Sequence, residues 1–406
     1  MRLNLLRGLP REVGVLTAIA FAVALGFGIV APALPVFAKR FGVGETAAAA
    51  VISAFAFMRF ISALGSGRLV DRTGERILLA SGIGIVAVSS ALAGLAQSYV
   101  QLIVLRGIGG VGSAMFSVSA VNLVLRVVGP ELRGRATGAY QSGFIIGGIT
   151  GPTLGGLLTA VSIRAPFFVY AGTLAIAGTI AMVFLSRARL RDRTPQEGEQ
   201  SKDAEGEERR VTLRDALRTS AYRAALTANL ANGWVFFGVR SALIPLFVVA
   251  VLGRGPFWTG VGFAVVSGVQ ALTLLVAGRF ADVRGRRPAM VIGAVLAAAS
   301  MAALTAPNSL ALYLASMVLL GAGASFLGVA PGAVVGDVAG GRSGTVVAFY
   351  QMSRDFGTIV GPLIAGALAQ NFSYTAAFAT SAAIMVAAGG LAAGSRETRR
   401  AGQPAG

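Results

Sequence analysis

The chain contains no cysteine and no histidine. Without cysteine it can form no disulfide, thiolate nucleophile or iron–sulfur ligand. Without histidine it can form no imidazole metal site, Ser–His–Asp triad or histidine proton relay. These absences argue against an enzyme and against a resident metal or cofactor. Any proton that the protein handles must therefore be carried by a carboxylate, a tyrosine or water.

Charge is also scarce. Charged residues make up 13% of the 406 residues, about half the share found in soluble globular proteins. Apolar residues account for 55% of the chain, and the mean hydropathy is +0.74. A globule of this size cannot bury so much apolar surface, so most of it must face lipid. The sequence predicts an integral membrane protein.

Twelve apolar runs are long enough to cross a bilayer, which takes roughly 20 mainly apolar residues. A polar segment at 187–223, with eight of the chain's 17 acidic residues, separates the sixth run from the seventh. We predict an N-terminal six-helix half at 1–186, a cytoplasmic linker at 187–223 with a short amphipathic helix around 211–220, and a C-terminal six-helix half at 224–406. The runs begin near Val13, Ala48, Ile77, Tyr99, Gly138, Ala165, Ala224, Phe257, Ala289, Leu310, Thr345 and Tyr374.

The formal net charge of +18 could suggest a nucleic-acid-binding protein, but the positions of the basic residues indicate membrane topology instead. Most of the 35 Lys and Arg residues fall on the side of the membrane that also holds both termini, and this excess marks the cytoplasmic side. We predict a multi-pass protein of a bacterial plasma membrane, with both termini in the cytoplasm. Its surroundings are the lipid bilayer, and no nucleic acid is expected as a partner.

The two halves are copies displaced by about 210 residues. Two six-helix halves related by a parallel repeat form a known transporter architecture. The matching segments are 67–76 with 278–287, 28–35 with 238–245, 140–141 with 350–351, and the glycines at 110 and 112 with those at 321 and 323.

These segments carry a resemblance to the major facilitator superfamily, over essentially the full length of the chain. Residues 67–76 resemble its loop signature Gly-x-Leu-x-Asp-Arg-x-Gly-Arg-Arg/Lys, although Glu75 stands where a base is usual. Arg106 begins a segment resembling Arg-x-x-Gln-Gly-x-Gly, with Gly109 in the Gln position. The antiporter signature Gly-x-x-x-Gly-Pro-x-x-Gly-Gly is matched at every fixed position. These positions are Gly147, Gly151, Pro152, Gly155 and Gly156.

The resemblance implies an all-α fold of twelve transmembrane helices in two pseudo-symmetric halves, and the antiporter signature is associated with export. It also implies that the cytoplasmic loop signature latches the halves together. The glycines of the antiporter motif make a helix face without side chains, which lets a neighbouring helix approach closely. Static tight packing is the alternative. The latch residues are Gly67, Asp71, Arg72, Gly74, Arg76 and Asp282, with Gly67 and Gly74 expected in a tight turn.

Charged residues inside a membrane are costly, and they mark functional sites. Asp355 is the only clearly embedded carboxylate, since the first nine predicted spans hold none. It is the candidate proton carrier, with Arg354 and Arg106 as candidate partners. The alternative for the embedded arginines is pairing with backbone carbonyls or snorkelling. The candidate lining of a midplane substrate cavity comprises Arg59, Tyr140, Gln141, Asn229, Asn232, Trp234, Arg240, Gln270, Tyr350 and Gln351.

A cavity with several arginines and little negative charge favours neutral amphipathic or anionic cargo. We predict a monomeric secondary active transporter that exports a small amphipathic organic compound, a drug or a metabolite. It would work by alternating access in exchange for protons, without a cofactor or metal. An organic-anion or sugar carrier, for uptake or facilitated transport, is the alternative. A transport-inactive receptor would need a larger partner surface than the short loops offer.

Overall fold

The computed structural model describes residues 9–128, 132–184, 212–306, 309–339 and 344–398. Within these ranges the chain is helical and contains no strand. The helices are α1 (Arg11–Val30), α2 (Ala33–Lys39), α3 (Glu45–Thr73), α4 (Glu75–Gly94), α5 (Tyr99–Arg126), α6 (Arg133–Val161), α7 (Ala165–Phe184), α8 (Leu213–Arg218), α9 (Ser220–Asn232), a π-helical segment (Gly233–Val239), α10 (Arg240–Ala250), α11 (Pro256–Arg284), α12 (Arg286–Ala303), α13 (Leu310–Ala339), α14 (Gly344–Asn371) and α15 (Tyr374–Ala393).

Ten of the described helical segments are long and apolar enough to cross a membrane. Two of these segments are broken helices, α1 with α2 and α9 with α10. The other two predicted spans are α12, which is 18 residues long, and α14, which carries Arg354 and Asp355. All twelve predicted runs thus correspond to described helices. The twelve-helix, all-α membrane fold is confirmed.

The predicted linker is described only at its end. Residues 185–211 lie outside the described part of the chain. The short helix expected around 211–220 is present as α8, Leu213–Arg218. Thr212 begins it, and its hydroxyl oxygen accepts a hydrogen bond from the backbone N–H of Asp215 at 3.2 Å, a common way to satisfy a free donor in a first helical turn. A short helix is therefore present where one was expected, although it is shorter than predicted, and its amphipathic character stays a prediction.

Contacts divide the chain into two compact units. Unit 1 comprises Met1–Val30, Phe57–Gly151 and Arg164–Arg209. Unit 2 comprises Ala31–Ala56, Pro152–Ile163 and Arg210–Gly406. Unit 2 therefore includes α2, the start of α3 and the end of α6, which the sequence repeat assigns to the first half. The halves at 1–186 and 224–406 stay a prediction, made from the repeat and not from these contacts.

The sequence repeat is visible in how helices pack inside each unit. In unit 1, α4 and α5 meet at two glycines, and a Cβ on Gly82 would lie 2.7 Å from the carbonyl oxygen of Gly112. In unit 2, α12 and α13 meet at the glycines 211 positions later. There a Cβ on Gly323 would lie 3.0 Å from the carbonyl oxygen of Gly293. Both pairs let two helices approach without an intervening side chain.

Within unit 2, the first-half segments are held by second-half helices. Ser53 of α3 donates its hydroxyl to the carbonyl oxygen of Ile359 at 2.7 Å. The Oε1 atom of Gln370 accepts from the backbone N–H of Thr46 at 3.1 Å, which satisfies a free donor in the first turn of α3. The backbones of Gly156 in α6 and Gly260 in α11 touch, so neither position has room for a side chain. The distribution of basic residues predicts that the start of α3, the end of α6 and the start of α11 face the outside of the cell.

An ion pair recurs in both units with its charges exchanged. In unit 1, Glu75 at the start of α4 pairs with Arg126 at the end of α5, with 2.9 Å between Oε2 and Nη1. The residues 211 positions later are Arg286 and Asp337, and they pair in unit 2 with 3.5 Å between Nε and Oδ2. Glu75, which departs from the usual base of the loop signature, is thus one half of a charge-swapped pair.

Reversing one member of the pair should destabilise the protein, and reversing both should restore it. Glu75→Arg would place two arginines together, whereas Glu75→Arg combined with Arg126→Glu recreates the second unit's arrangement. Because the pair is partly exposed, we expect a coupling of about 0.5–1 kcal/mol. Thermal unfolding of the purified protein in detergent would measure it. Arg254→Glu, at an exposed loop residue, is the control. A double variant no more stable than the sum of its singles would contradict the pairing.

Candidate functional site

The antiporter motif of α6 packs directly on the backbone of α1 in unit 1. A Cβ on Gly147 would overlap the carbonyl oxygen of Phe21, and one on Gly151 would overlap that of Leu25. The next two fixed positions of the motif, Pro152 and Gly155, are buried and belong to unit 2. Along Gly147–Gly151, α6 therefore meets α1 backbone to backbone.

The second copy of this helix makes the same contact. In unit 2, a Cβ on Gly357 of α14 would overlap the carbonyl oxygen of Leu230 in α9. One turn later, a Cβ on Gly361 would lie 3.0 Å from the Cα of Trp234. The partner helix adds a glycine of its own, since a Cβ on Gly233 would overlap the carbonyl oxygen of Arg354. The glycine contact is a property of the repeat and not of the antiporter signature alone.

A π-helical segment distinguishes the second copy from the first. Gly233–Val239 has a wider turn than an α-helix and joins α9 to α10, and all its residues except Phe237 are buried. The corresponding part of α1 is an α-helix up to Val30. Single π turns inside α-helices occur frequently at functional sites. Here the segment leads directly into Arg240, the first residue of α10.

Three candidate cavity residues on this broken helix are engaged with other helices. The side-chain amide of Asn229 donates to the carbonyl oxygen of Tyr350 at 2.7 Å. The amide of Asn232 donates to the carbonyl oxygen of Leu327 at 3.5 Å. The indole N–H of Trp234 donates to the hydroxyl of Ser381 at 3.1 Å. These bonds give all three residues a packing role, and their place in a substrate cavity stays a prediction.

Arg240 has different surroundings. Its guanidinium lies over the ring of Phe263, with 5.3 Å from Cζ to the ring centroid. Its Nε atom is buried and has no hydrogen-bond partner among the described residues. The neighbouring turns present Phe236 and Ile244, which are apolar and buried. The structure therefore places this charge against an aromatic ring and not against an acid.

The remaining unit 2 candidates lie on α11 and α14. Gln270 and Tyr350 are half-buried, and the carbonyl oxygen of Gln270 accepts from the hydroxyl of Ser325 at 3.0 Å. The Oε1 atom of Gln351 is buried and has no hydrogen-bond partner in the described part of the chain. An amide oxygen in that state is free to accept a donor from a ligand.

The three unit 1 candidates differ in burial, since Tyr140 is buried, Arg59 is half-buried and Gln141 is exposed. Arg59 lies close enough to Tyr140 and Tyr170 to interact electrostatically with both rings' hydroxyls. Tyr140 is 3% exposed. Its neighbour Gln141 is exposed, because adjacent residues of a helix point in different directions. Arg59 and Tyr140 are thus brought together, whereas Gln141 points away from Tyr140.

The proton-coupling candidates are distributed over both units. Arg106 is 3% exposed and interacts with Tyr170 in unit 1. In unit 2, the guanidinium of Arg354 lies 5.4 Å from the ring centroid of Phe237, and the adjacent Asp355 is half-buried. A joint role for Arg106, Arg354 and Asp355 stays a prediction.

The predicted latch is only partly described. Gly74 has a φ of +81° and its repeat Gly285 a φ of +115°, a backbone conformation that favours glycine, and each makes the turn between two helices. Gly67 lies within α3, so the expectation that it shares this turn is wrong. The side chains of Asp71 and Arg72 are outside the described part of the structure.

The two other latch candidates contact their own units. Arg76 donates to the carbonyl oxygen of Met182 in unit 1. Asp282, at the end of α11, pairs across the turn at Gly285 with Arg286, four residues later at the start of α12. Neither contact tests the expected latch between halves, which stays a prediction.

The sequence did not indicate the roles of three polar residues near the ends of the chain. The carboxylate of Glu397 accepts from the backbone N–H groups of Arg286 and Arg287 at 2.9 and 3.0 Å, at the start of α12. The hydroxyl of Thr398 donates to Asp337 at 2.8 Å. Nothing in a short charged tail marks such a capping residue. Glu12, one residue before the first predicted span, is 5% exposed within α1. Across the described ranges, no cluster of three or more acids could hold a metal ion.

Comparison with known protein families identifies the superfamily of this chain. The family model of the Major Facilitator Superfamily matches residues 16–269 and 258–405. The chain belongs to this superfamily. Membership confirms the transporter fold expected from the repeat, and it confirms that the protein is a transporter of small molecules and not an enzyme. The protein is a multi-pass membrane protein.

Its relatives include named resistance proteins. Multidrug resistance protein 1 of Bacillus subtilis (strain 168) is 25% identical over 366 residues, covering 89% of this chain and 90% of that protein. Quinolone resistance protein NorA of Staphylococcus aureus (strain MRSA252) is 31% identical over 176 residues, which is 43% of this chain and 45% of that protein. Among solved structures, a bacterial homologue of the human lysosomal transporter Spinster superposes with a TM-score of 0.75 at 14% identity, covering 94% and 95% of the two chains. That likeness concerns the fold alone.

Two adjacent glycines of α6 provide a test of the backbone contact. Gly147 touches the backbone of α1, whereas a Cβ on Gly148 would meet nothing within 4 Å. Gly147→Ala should force the helices apart at a cost of about 1–3 kcal/mol. Gly148→Ala should be neutral or stabilising, because alanine favours a helix by up to about 1 kcal/mol over glycine. Thermal unfolding in detergent distinguishes the two variants, and equal effects would contradict the contact.

Proposed function

We propose that the protein exports a small amphipathic organic compound, a drug or a metabolite, across a bacterial plasma membrane in exchange for protons. The observation that carries this proposal is the antiporter motif, complete in sequence and seated on α1 through Gly147 and Gly151. The relatives named as multidrug and quinolone resistance proteins support the direction and the class of cargo.

The glycine contacts suit alternating access. Helices that meet through backbone alone have no interlocking side chains, so they can slide or rock with little steric resistance. The same contact occurs between α6 and α1 in unit 1, and between α14 and α9 in unit 2. A proline follows the second glycine in both copies, at Pro152 and Pro362, where it removes a backbone hydrogen bond and weakens the helix locally. Both α6 and α14 thus combine a glycine face, which has no side chains, with a proline at which the helix can bend.

Asp355 is the proposed proton carrier. It lies within α14, which crosses the membrane in the proposed topology, and it is half-buried. Arg354 beside it and Arg106 in unit 1 are the proposed partners whose distance would change between conformations. A carboxylate takes up a proton in an apolar environment and releases it when a cation lies nearby. Alternating between the two environments therefore moves a proton.

A carrier of organic anions is the second candidate. The observation in its favour is Arg240, whose charge lies against Phe263 without an acidic partner among the described residues. An uncompensated charge within a membrane favours an anionic ligand over a cationic one.

Transport in proteoliposomes under an imposed pH gradient tests the proposed function. We expect gradient-driven movement of a neutral amphipathic antibiotic or an aromatic carboxylate, and little movement of a lipophilic cation. Asp355→Asn should abolish the dependence on the gradient, since an amide cannot carry the proton. Asp215→Asn, at an acid of the short helix α8, is the matched control and should retain it.

Two results would contradict this assignment. Full gradient-driven transport by Asp355→Asn would place proton coupling elsewhere in the chain. Preferential transport of the lipophilic cation would overturn the view of a cavity poor in negative charge, while leaving the fold unaffected.

A further inference from the structure

Arg240 lies in a segment long and apolar enough to cross a membrane, and no described residue supplies a counter-charge to it. None of the ion pairs between described residues includes it. Its Nε–H is buried without an acceptor in the described ranges, although the residue as a whole is half-buried and not sealed. Removing a charge from water without pairing it is unfavourable, so such an arrangement is retained where a ligand supplies the missing partner.

Phe263 holds the guanidinium in place. The ring is 1% exposed, so its position is fixed by the surrounding helices. A cation over an aromatic face is attracted to the ring, which takes no part in the hydrogen bonds of the guanidinium N–H groups. The contact with Phe263 therefore uses none of the hydrogen-bond donors of Arg240.

A second unpaired donor lies beside this stack. Thr259 is 2% exposed, and its Oγ1 atom is buried without a hydrogen-bond partner among the described residues. It stands one turn before Phe263 on α11, and residues four apart lie on the same helix face. Buried hydroxyls are nearly always hydrogen-bonded in native proteins. Thr259 and Arg240 each carry a buried donor without a partner among the described residues, and Phe263 is a neighbour of both.

We propose that Arg240 and Thr259, with Phe263 against the guanidinium, form a binding site for the carboxylate of an organic substrate. The planar guanidinium donates to the carboxylate oxygens, as it does in paired Arg–carboxylate contacts. The hydroxyl of Thr259 donates to the same group, and Phe263 keeps the guanidinium in place through its cation–π contact. This inference rests on the proposed transport function and names the chemical class of its cargo.

A matched pair of fluorescent probes tests the site. Dansylglycine carries a carboxylate, whereas dansylglycinamide has the same aromatic group and nearly the same size without the charge. Binding of each probe to the purified protein in detergent gives an acid-to-amide affinity ratio. For the unaltered protein we expect a ratio of at least ten. Arg240→Gln and Thr259→Val should both reduce it, the former to about one. Arg240→Lys, which keeps the charge but loses the planar pair of donors, should give an intermediate ratio.

Arg254→Gln is the control for charge, because Arg254 is exposed in the loop before α11 and its loss should leave the ratio unchanged. A ratio near one in the unaltered protein, or an unchanged ratio in both Arg240 variants, would overturn the carboxylate site. If a variant fails to fold, the unaltered protein and the conservative variant still decide the question. Failure of the proposed function is distinct, because the protein would then move neither probe nor a neutral antibiotic into or out of proteoliposomes.

Discussion

Backbone-to-backbone contact between helices is the constraint on which the rest of the structure depends. In lipid, apolar side chains gain little by leaving the solvent, so helices associate through close packing and hydrogen bonds. Glycines at Gly82 and Gly112, and again at Gly293 and Gly323, remove the side chains that would keep two helices apart. In unit 2, the same glycine contact on α14 holds the broken helix that carries Asn229, Asn232 and Trp234. The polar residues are positioned by glycines that have no chemistry of their own.

Much of this fold was predictable because its causes are local. Runs of apolar residues define the twelve spans, and the displacement of about 210 residues is visible wherever short motifs recur. The family model confirms the superfamily that these motifs resemble. The break in the seventh span was not predictable, because Gly233–Val239 has the composition of an ordinary apolar run and its close contact with the backbone of α14 involves residues about 120 positions away.

The candidate site was less predictable, since the fate of a polar side chain depends on distant partners. The position of Asn229 and Trp234 in an apolar span predicts cavity residues. In the structure, the amide of Asn229 and the indole N–H of Trp234 donate to Tyr350 and Ser381. Arg240 has the same kind of position in the sequence, but its Nε–H has no acceptor in the part of the chain that the structure describes. Phe263 and Thr259 carried no signal, as a phenylalanine and a threonine in a membrane helix are unremarkable until their neighbour is known.

The charge-swapped pair has a consequence for the history of the gene. A duplicated gene can recombine with itself, and a crossover between its copies yields hybrid halves. Such a hybrid, joining the start of α4 to the end of α13, would bring Glu75 against Asp337, two like charges where each parent has an ion pair. The opposite hybrid would bring Arg286 against Arg126. The exchange of charges therefore disfavours recombination between the halves. Each half can then diverge separately, the first with the antiporter motif and the second with Arg240 on its broken helix.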